Sequence, residues 1–304
     1  MPQARSTTPA ATSGPGRRLT PLLAGVFLVE LVVAAAVLLE AGHGVGIPPA
    51  RLVTPPPNQA SATTKSLIVG DRTVRLTGFG SPASDRLLSR VAANIGAAIN
   101  AVEGFWGGQW SRDVSLVAAR TDEEFRAAAG GGPAAQWVDI AAVTVADRVD
   151  PAHRAAVGER IVFAPGAATM TEGAFRIMLA HELFHYAARA DTAADAPRWL
   201  AEGVADFVAR PRTPVPADAS SVPLTLPSDA DLDAPGSQRS LGYDRAWWFV
   251  RFVADTYGAA KLRDLYQAVC GVGHTDVPAA VRDVLATDSA GLLARWHDWL
   301  TRST

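Results

Sequence analysis

The longest apolar pattern in the chain is a run over residues 19–39, which directly follows the basic pair Arg17-Arg18. Its length matches the roughly 20 residues of helix that cross the hydrocarbon core of a bilayer. One acid, Glu30, interrupts the run, but the surrounding Leu, Val and Phe residues outweigh it on a membrane-insertion scale. The pattern therefore predicts one transmembrane helix over residues 19–39.

The charges that flank this run predict its orientation. Arg5, Arg17 and Arg18 precede it, and few basic residues follow it closely. The positive-inside rule therefore places residues 1–18 in the cytoplasm and the rest of the chain outside. A cleaved signal peptide is the alternative, since three alanines at residues 34–36 are small enough for a cleavage site, but the apolar core exceeds the usual length. An uncleaved signal anchor in the cell membrane is the favoured interpretation.

Residues 40–65 are rich in Gly, Pro, Ser and Thr and lack apolar periodicity, which is typical of a semi-stiff linker. A folded domain is predicted over residues 66–304, and its first part alternates between the periods of strands and helices. Strands are predicted at residues 66–69, 73–76, 113–119, 137–145 and 160–164. Helices are predicted from Ser81-Pro82 to about Gly104 and from the Thr121 N-cap to Gly130.

The second part of the domain is predicted to be mostly helical. Helices are expected from about Met170, from Asp195 or Pro197 to Pro211, and over residues 243–257, 261–269, 276–285 and 289–300. Residues 211–240 lack a clear period and are predicted to form a solvated loop, with a lid over a cleft as the alternative. The order of elements predicts an α+β fold, with a mixed N-terminal sheet and a mostly α-helical C-terminal subdomain.

Composition and charge narrow the class of protein only a little. The 304 residues, 48% of them hydrophobic, are enough for a sizeable core, and the net charge of -2 gives no indication of nucleic-acid binding. Cys270 is the single cysteine, so the chain has no internal disulfide.

The main candidate for a metal-binding and catalytic site is the H-E-x-x-H pattern His181-Glu182-Leu183-Phe184-His185. Residues four apart lie one turn apart on the same side of a helix, so both imidazoles can bind one metal ion. Glu182 lies next to them and is a candidate general base for a metal-activated water. Zinc accepts imidazole and carboxylate ligands, and a catalytic zinc needs a third protein ligand. A satisfied polar pair on a buried helix is the alternative for the histidines.

Glu202 and Asp206 are the candidates for completing this site. They are four apart in a predicted helix whose apolar residues lie roughly opposite. Glu202 is predicted to be the third metal ligand, and Asp206 is predicted to hold the outer nitrogen of a ligand histidine. Gly203 is expected to let the two helices of the site approach closely. A solvated helix face is the alternative for both carboxylates.

With H-E-x-x-H at residues 181–185 and E-x-x-x-D at residues 202–206, the chain resembles the gluzincin metallopeptidases, the thermolysin-like and peptidase MA-like group. The resemblance extends over about residues 160–269. It implies a zincin-like fold with Zn²⁺ as cofactor, in which an edge strand binds an extended substrate by main-chain hydrogen bonds.

Family members also supply a tyrosine or histidine from the C-terminal subdomain to stabilise the tetrahedral intermediate. Tyr243 resembles the tyrosine of peptidase MA-like proteins, and His274 and His153 are weaker candidates; an ordinary core or surface tyrosine is the alternative. The chain has no G-x-M-E-N segment like that of gluzincin aminopeptidases, and His185 does not begin the H-x-x-G-x-x-H pattern of metzincins. The resemblance therefore favours an endopeptidase.

The function implied is that of a membrane-anchored, extracytoplasmic zinc endopeptidase that hydrolyses a peptide or protein substrate, with Glu182 as general base. Two alternatives stay open. One is a catalytically silent binding module at the cell surface that keeps the zincin scaffold. The other is hydrolysis of a non-peptide amide, such as a cell-wall component.

Overall fold

A computed structural model of the protein describes residues 62–221 and 224–303. The predicted cytoplasmic tail, the predicted transmembrane helix and all but the end of the predicted linker lie outside these ranges. Among the described residues, no helix combines the length and the apolar character needed to cross a membrane. The membrane anchor and its orientation therefore stay predictions.

All seven strands lie in the first half of the described chain, together with the first two helices, and the second half is helical. In chain order, strands β1–β7 span Thr63–Val69, Arg72–Gly78, Asp113–Ala118, Ala142–Val145, Arg148–Asp150, Ala155–Val157 and Arg160–Phe163. Helices α1–α9 span Pro82–Trp106, Asp122–Ala128, Glu172–Ala188, Arg198–Ala209, Asp229–Asp233, Ser237–Tyr257, Ala259–Cys270, Val277–Leu285 and Ser289–Ser303. The described residues thus form a mixed α/β structure with a helical C-terminal half.

Five strands form one mixed sheet in the order β1-β2-β3-β7-β4. β1 and β2 are an antiparallel hairpin whose turn includes Gly70 at φ 60°, a backbone conformation that favours glycine. β2, β3 and β7 are parallel neighbours, and β4 runs antiparallel to β7 at the end of the sheet. β5 and β6 pair separately. Helix α3, which carries H-E-x-x-H, contacts β4 and β7, so the motif lies beside the terminal strand.

Apolar side chains on the two faces of this sheet form two clusters. Because successive strand residues point to opposite faces, Leu116 belongs to the larger cluster and Val117 to the smaller one. Helix α1 packs into the larger cluster through the apolar face that its spacing predicts, formed by Leu87, Leu88, Val91, Ile95, Ile99 and Val102. A capping box between Ser81 and Ser84, with Pro82 in the first turn, starts α1 where the sequence predicts.

Part of the segment predicted as a strand over residues 137–145 has a different conformation. A 3-10 helix covers Ala134–Trp137, and strand pairing begins only with β4. The Trp137 indole donates a hydrogen bond to the Gly131 carbonyl oxygen (3.0 Å) and packs edge-on against Phe125. Trp137 therefore enters the smaller cluster from a turn of 3-10 helix, which the spacing of apolar residues alone does not reveal.

The structure also differs from the prediction at the start of β1 and in two short strands. Strand β1 begins at Thr63, so the last residues of the predicted linker over residues 40–65 belong to the sheet. The sequence pattern does not predict the short strands β5 and β6, because three residues in each are too few to establish a period.

The region over residues 211–240 contains more regular structure than its lack of periodicity predicts. It includes the short helix α5, and α6 begins at Ser237, well before its predicted start. A capping box between Ser228 and Asp231 starts α5. An added Cβ at Gly242 of α6 would lie 2.6 Å from the Asp231 carbonyl oxygen. Packing of α5 against α6 therefore structures part of the region that the sequence predicts to be a solvated loop.

Gly203 marks a close contact between α4 and α6. A Cβ at this position would lie 2.8 Å from the carbonyl oxygen of Ala246 and 3.0 Å from its carbonyl carbon. The expectation that Gly203 brings α4 close to the H-E-x-x-H helix is therefore wrong about the partner, because the glycine faces α6. This contact holds α4, which carries Glu202, against the C-terminal helices.

Gly203→Ala is expected to destabilise the protein by about 1–3 kcal/mol, because the added methyl group must displace main-chain atoms of α6. Gly104→Ala is the matched control, since Gly104 lies in α1 with no atom within 4 Å of an added Cβ. There the better helix propensity of alanine should raise stability by up to about 1 kcal/mol. Urea unfolding followed by circular dichroism measures both variants, and equal stabilities would contradict the close contact.

Candidate metal centre

Helix α3 places His181 and His185 on one side, one turn apart. Thr171 caps its N-terminus, so the helix begins just after the predicted start at Met170. All residues from Met178 to Ala188 are buried, and the two histidines are only 1% and 6% exposed. Their Nε2 atoms lie 3.1 Å apart. The helix therefore directs both imidazoles toward one buried point.

Glu202 reaches the same point from α4. Its Oε2 lies 3.3 Å from His181 Nε2, and its Oε1 lies 3.7 Å from His185 Nε2. One donor atom from each of the three side chains lies within 4.8 Å of the other two. His181, His185 and Glu202 therefore form a buried group that can hold a metal ion, as the sequence predicts.

The separations within this group fit a tetrahedral metal ion. Bonds of about 2.0–2.1 Å to nitrogen and oxygen would place two ligand atoms roughly 3.3–3.4 Å apart at a tetrahedral angle. The three separations here are 3.1, 3.3 and 3.7 Å. Glu202 Oε2 is buried and lies beside His181 Nε2. Two imidazoles and one carboxylate therefore form a donor set that suits a divalent cation.

Asp206 lies on the outer side of His181. Its Oδ1 is 3.0 Å from His181 Nδ1, and its Oδ2 is 2.7 Å from Nη2 of Arg210. Burial acts to raise the pKa of the Asp206 carboxyl, but the charge of Arg210 and the hydrogen bond with His181 outweigh burial and lower it. An ionised Asp206 accepts a hydrogen bond from the Nδ1–H group of His181, so His181 Nε2 faces the point that it shares with His185 and Glu202.

The two carboxylates also control the charge of His181. Burial acts to lower the pKa of its imidazole, but the hydrogen bonds and charges of Asp206 and Glu202 raise it well above the usual value. A proton and a metal ion therefore compete for the same Nε2 atom, and metal binding is expected to release a proton.

Arg210 is a member of the site that the sequence reasoning misses. Its Nη1 lies 3.0 Å from Asp244 Oδ1, and its guanidinium stacks over the Trp247 ring at 4.9 Å. It thus ties Asp206 on α4 to α6. The spacing of residues could have identified Arg210. It follows Asp206 by four residues in the predicted helix, and opposite charges at that spacing pair.

Thr144 is the second residue that the sequence reasoning misses. The Glu182 carboxyl is completely buried, and the Thr144 hydroxyl lies 2.8 Å both from its Oε2 and from the main-chain oxygen of Glu182. The Thr144 carbonyl oxygen in turn accepts a hydrogen bond from Arg189 (3.0 Å). A lone polar residue in the apolar strand β4 was the available signal, but only packing shows that it faces Glu182.

The three candidates for a transition-state donor lie in different surroundings. Tyr243 is buried on α6, and His153 and His274 contact the carboxylates of Asp150 and Asp195 at 2.8 and 3.2 Å. None of the described contacts of either histidine involves the metal group. The role of Tyr243 as a donor stays a prediction.

Tyr243 lies near the N-terminal end of α4. Burial acts to lower the pKa of Arg198, one turn before Glu202, but a hydrogen bond with Asp233 and the charges of Asp233, Asp229 and the Tyr243 hydroxyl raise it. The tyrosine hydroxyl is therefore close to the first turn of α4.

The metal group itself is enclosed. Glu182 is fully buried, and none of the three ligand residues is more than 6% exposed. Two surface cavities of about 350 and 340 Å³ are lined by other residues. The candidate ligand atoms therefore have little contact with solvent.

A scan against protein-family models and a search of the curated proteins find no match to this chain. The resemblance to gluzincins therefore still depends on the motif residues. The chemistry of the buried group is what supports a function.

The protein is expected to bind about one divalent ion per chain at this group. Glu202→Ala removes one ligand and should weaken zinc binding by about 100-fold or more, and Asp206→Asn should weaken it by about 10–100-fold because His181 loses its orienting partner. Glu123→Gln, at a carboxylate that is 76% exposed on α2, is the control. Titration with a chromophoric zinc chelator measures all three, and unchanged affinity in Glu202→Ala would exclude this group as the metal site.

Proposed function

We propose that this protein is a zinc-dependent peptidase of the gluzincin type, anchored in the cell membrane by residues 19–39 with its catalytic domain outside the cytoplasm. The observation that carries the proposal is the convergence of His181, His185 and Glu202 on one buried point, with the Glu182 carboxyl on the same turn of α3. Metal ligands and a candidate base thus belong to one rigid pair of helices.

The donor set favours zinc among common metals. Imidazole and carboxylate suit zinc, whereas magnesium and calcium prefer sites built only from oxygen. Three protein ligands leave one position open, which is the arrangement of catalytic rather than structural zinc sites. Bound zinc would polarise the scissile carbonyl and lower the pKa of the attacking water.

Glu182 is the general base in this proposal. Its carboxylate removes a proton from the attacking water and later delivers it to the leaving amine nitrogen. The Thr144 hydroxyl, 2.8 Å from Glu182 Oε2, limits the rotation of the carboxylate and keeps it directed at one place. We expect Tyr243 to donate a hydrogen bond to the tetrahedral intermediate.

Strand β4 is the expected binding edge for an extended peptide. It ends the sheet, and the hydrogen bond from the Ala164 amide to the Ala141 carbonyl oxygen shows which residues face β7. By alternation, the main-chain groups of Ala142 and Thr144 point away from the sheet. The Thr144 carbonyl oxygen is occupied by Arg189, and Ala142 and Thr144 are both buried. A substrate strand could therefore pair with the main chain of Ala142 and the Thr144 amide only in place of the groups that now cover them.

Glu182→Gln tests the chemical step. This variant should keep zinc affinity while hydrolysis of a peptide library falls by about 10²–10⁴-fold, since the amide cannot accept the proton. Wild-type cleavage should be abolished by a chelator and restored by zinc, and Glu123→Gln should behave as wild type. Mass spectrometry of the digest measures each sample, and full activity in Glu182→Gln would exclude the mechanism.

Thr144→Val tests the positioning of Glu182. Valine has the shape of threonine but no hydroxyl, so kcat should fall by about tenfold with KM and zinc affinity nearly unchanged, and the acidic limb of the pH–rate profile should move. Thr77→Val on β2 is the matched control, because its hydroxyl pairs with Thr64 in an exposed position. A purely structural role for Thr144 would leave the pH profile in place.

A catalytically silent binding module is the second candidate function, and the enclosure of the metal group favours it. With the ligand residues at most 6% exposed, zinc would stabilise the fold without contacting a substrate. This alternative predicts that zinc raises the melting temperature while no peptide in the library is cut. Zinc-dependent cleavage that Glu182→Gln abolishes is not expected of such a module.

A further inference from the structure

A cavity of about 340 Å³ opens beside the C-terminal end of α4 and helix α6. We name it the arginine cavity, and its lining includes Arg210, Arg212, Arg251, Trp247, Phe207 and Asp255. None of these residues is a ligand in the buried metal group. The volume suits a small ligand.

Two of the three arginines have carboxylate partners. Arg210 binds Asp206 and Asp244, and Arg212 binds Asp255. The second oxygen of Asp255 accepts a hydrogen bond from an indole N–H. These carboxylates are therefore already engaged and do not neutralise a third guanidinium.

Arg251 is the third arginine, and it has no carboxylate partner in the described part of the chain. It is only 7% exposed, its Nη1 donates to the Thr213 carbonyl oxygen (2.8 Å), and its Nε is buried without a hydrogen-bond partner. The guanidinium lies 4.9 and 5.6 Å from the ring centres of Trp247 and Trp299. Burial and the charge of Arg212 lower its pKa, as expected for a cation without a counter-ion.

We propose that the arginine cavity binds a small monocarboxylate with an apolar body, whose carboxylate pairs with the Arg251 guanidinium. A buried cation without a partner is costly, and the planar guanidinium fork matches a carboxylate in two parallel hydrogen bonds. The rings of Phe207 and Trp247 border the cavity and suit an apolar body. Inorganic phosphate has no apolar body to contact these rings.

The cavity shares one side chain with the metal centre. Arg210 lines the cavity and also holds Asp206, which in turn contacts His181. The proposed ligand site is nevertheless separate from the metal group, and it does not depend on peptidase activity.

Sodium benzoate is the probe, with acetate and inorganic phosphate for comparison, titrated into the full-length protein in detergent at constant ionic strength. Isothermal titration calorimetry is expected to show one benzoate per chain with a Kd below about 10 mM. Acetate should bind more weakly because it lacks an apolar body, and phosphate should bind more weakly than benzoate. The melting temperature should rise with benzoate concentration.

Arg251→Met removes the guanidinium and keeps an apolar stem, so benzoate affinity should fall by about tenfold or more. Arg263→Met is the matched control, because Arg263 also donates to a main-chain carbonyl oxygen, that of Phe105 at 3.1 Å, but does not line the cavity. If Arg251→Met does not fold, Arg251→Lys replaces it. Lysine keeps the charge without the fork, and the same loss of affinity is expected.

Three results would overturn the proposal. They are no benzoate binding to the wild-type protein in this range, equal binding to the Arg251 variant and to Arg263→Met, and tighter binding of phosphate than of benzoate. The second result would show that benzoate binds without the Arg251 guanidinium.

Discussion

Four ionisable side chains, His181, His185, Glu202 and Asp206, are buried together where α3 meets α4. Charges removed from water are tolerated only when each faces an opposite charge or a donor, and losing one partner of a buried pair costs about 3–5 kcal/mol. Arg210, Asp206, a protonated or metal-bound His181 and Glu202 form such an alternating row. These charges lose their partners if α3 and α4 move relative to each other. The rest of the domain must therefore hold the two helices in fixed relative positions.

Contacts on two sides of α4 fix its position. One side of α4 presents Glu202 and Asp206 to α3, while Gly203 brings its main chain against Ala246 of α6. Arg210 then ties the last turn of α4 to α6. A shift of α4 along its axis would separate both carboxylates from the imidazoles at once, so metal affinity and the stability of the helical half should change together in variants of this contact.

The same burial has opposite consequences for chemistry and for access. Excluding water strengthens the electrostatic effect of Glu182 and of a bound cation on any bond that reaches them. It also leaves little of the candidate ligands exposed to a substrate. Hydrolysis and silent metal binding would use the same donor set and differ in whether a substrate contacts it.

The sequence by itself indicated the candidate group, because local helical periodicity places His181 beside His185 on one helix and Glu202 beside Asp206 on the other. The packing of α3 against α4 decided that Glu202 meets the two histidines at one buried point. The sequence also determined the apolar face of α1 and the start of that helix. Only the tertiary structure decided that Thr144 contacts Glu182 and that Gly203 faces α6 rather than α3. These contacts join segments far apart in the chain, and their geometry follows from how the elements pack together, which no local spacing encodes.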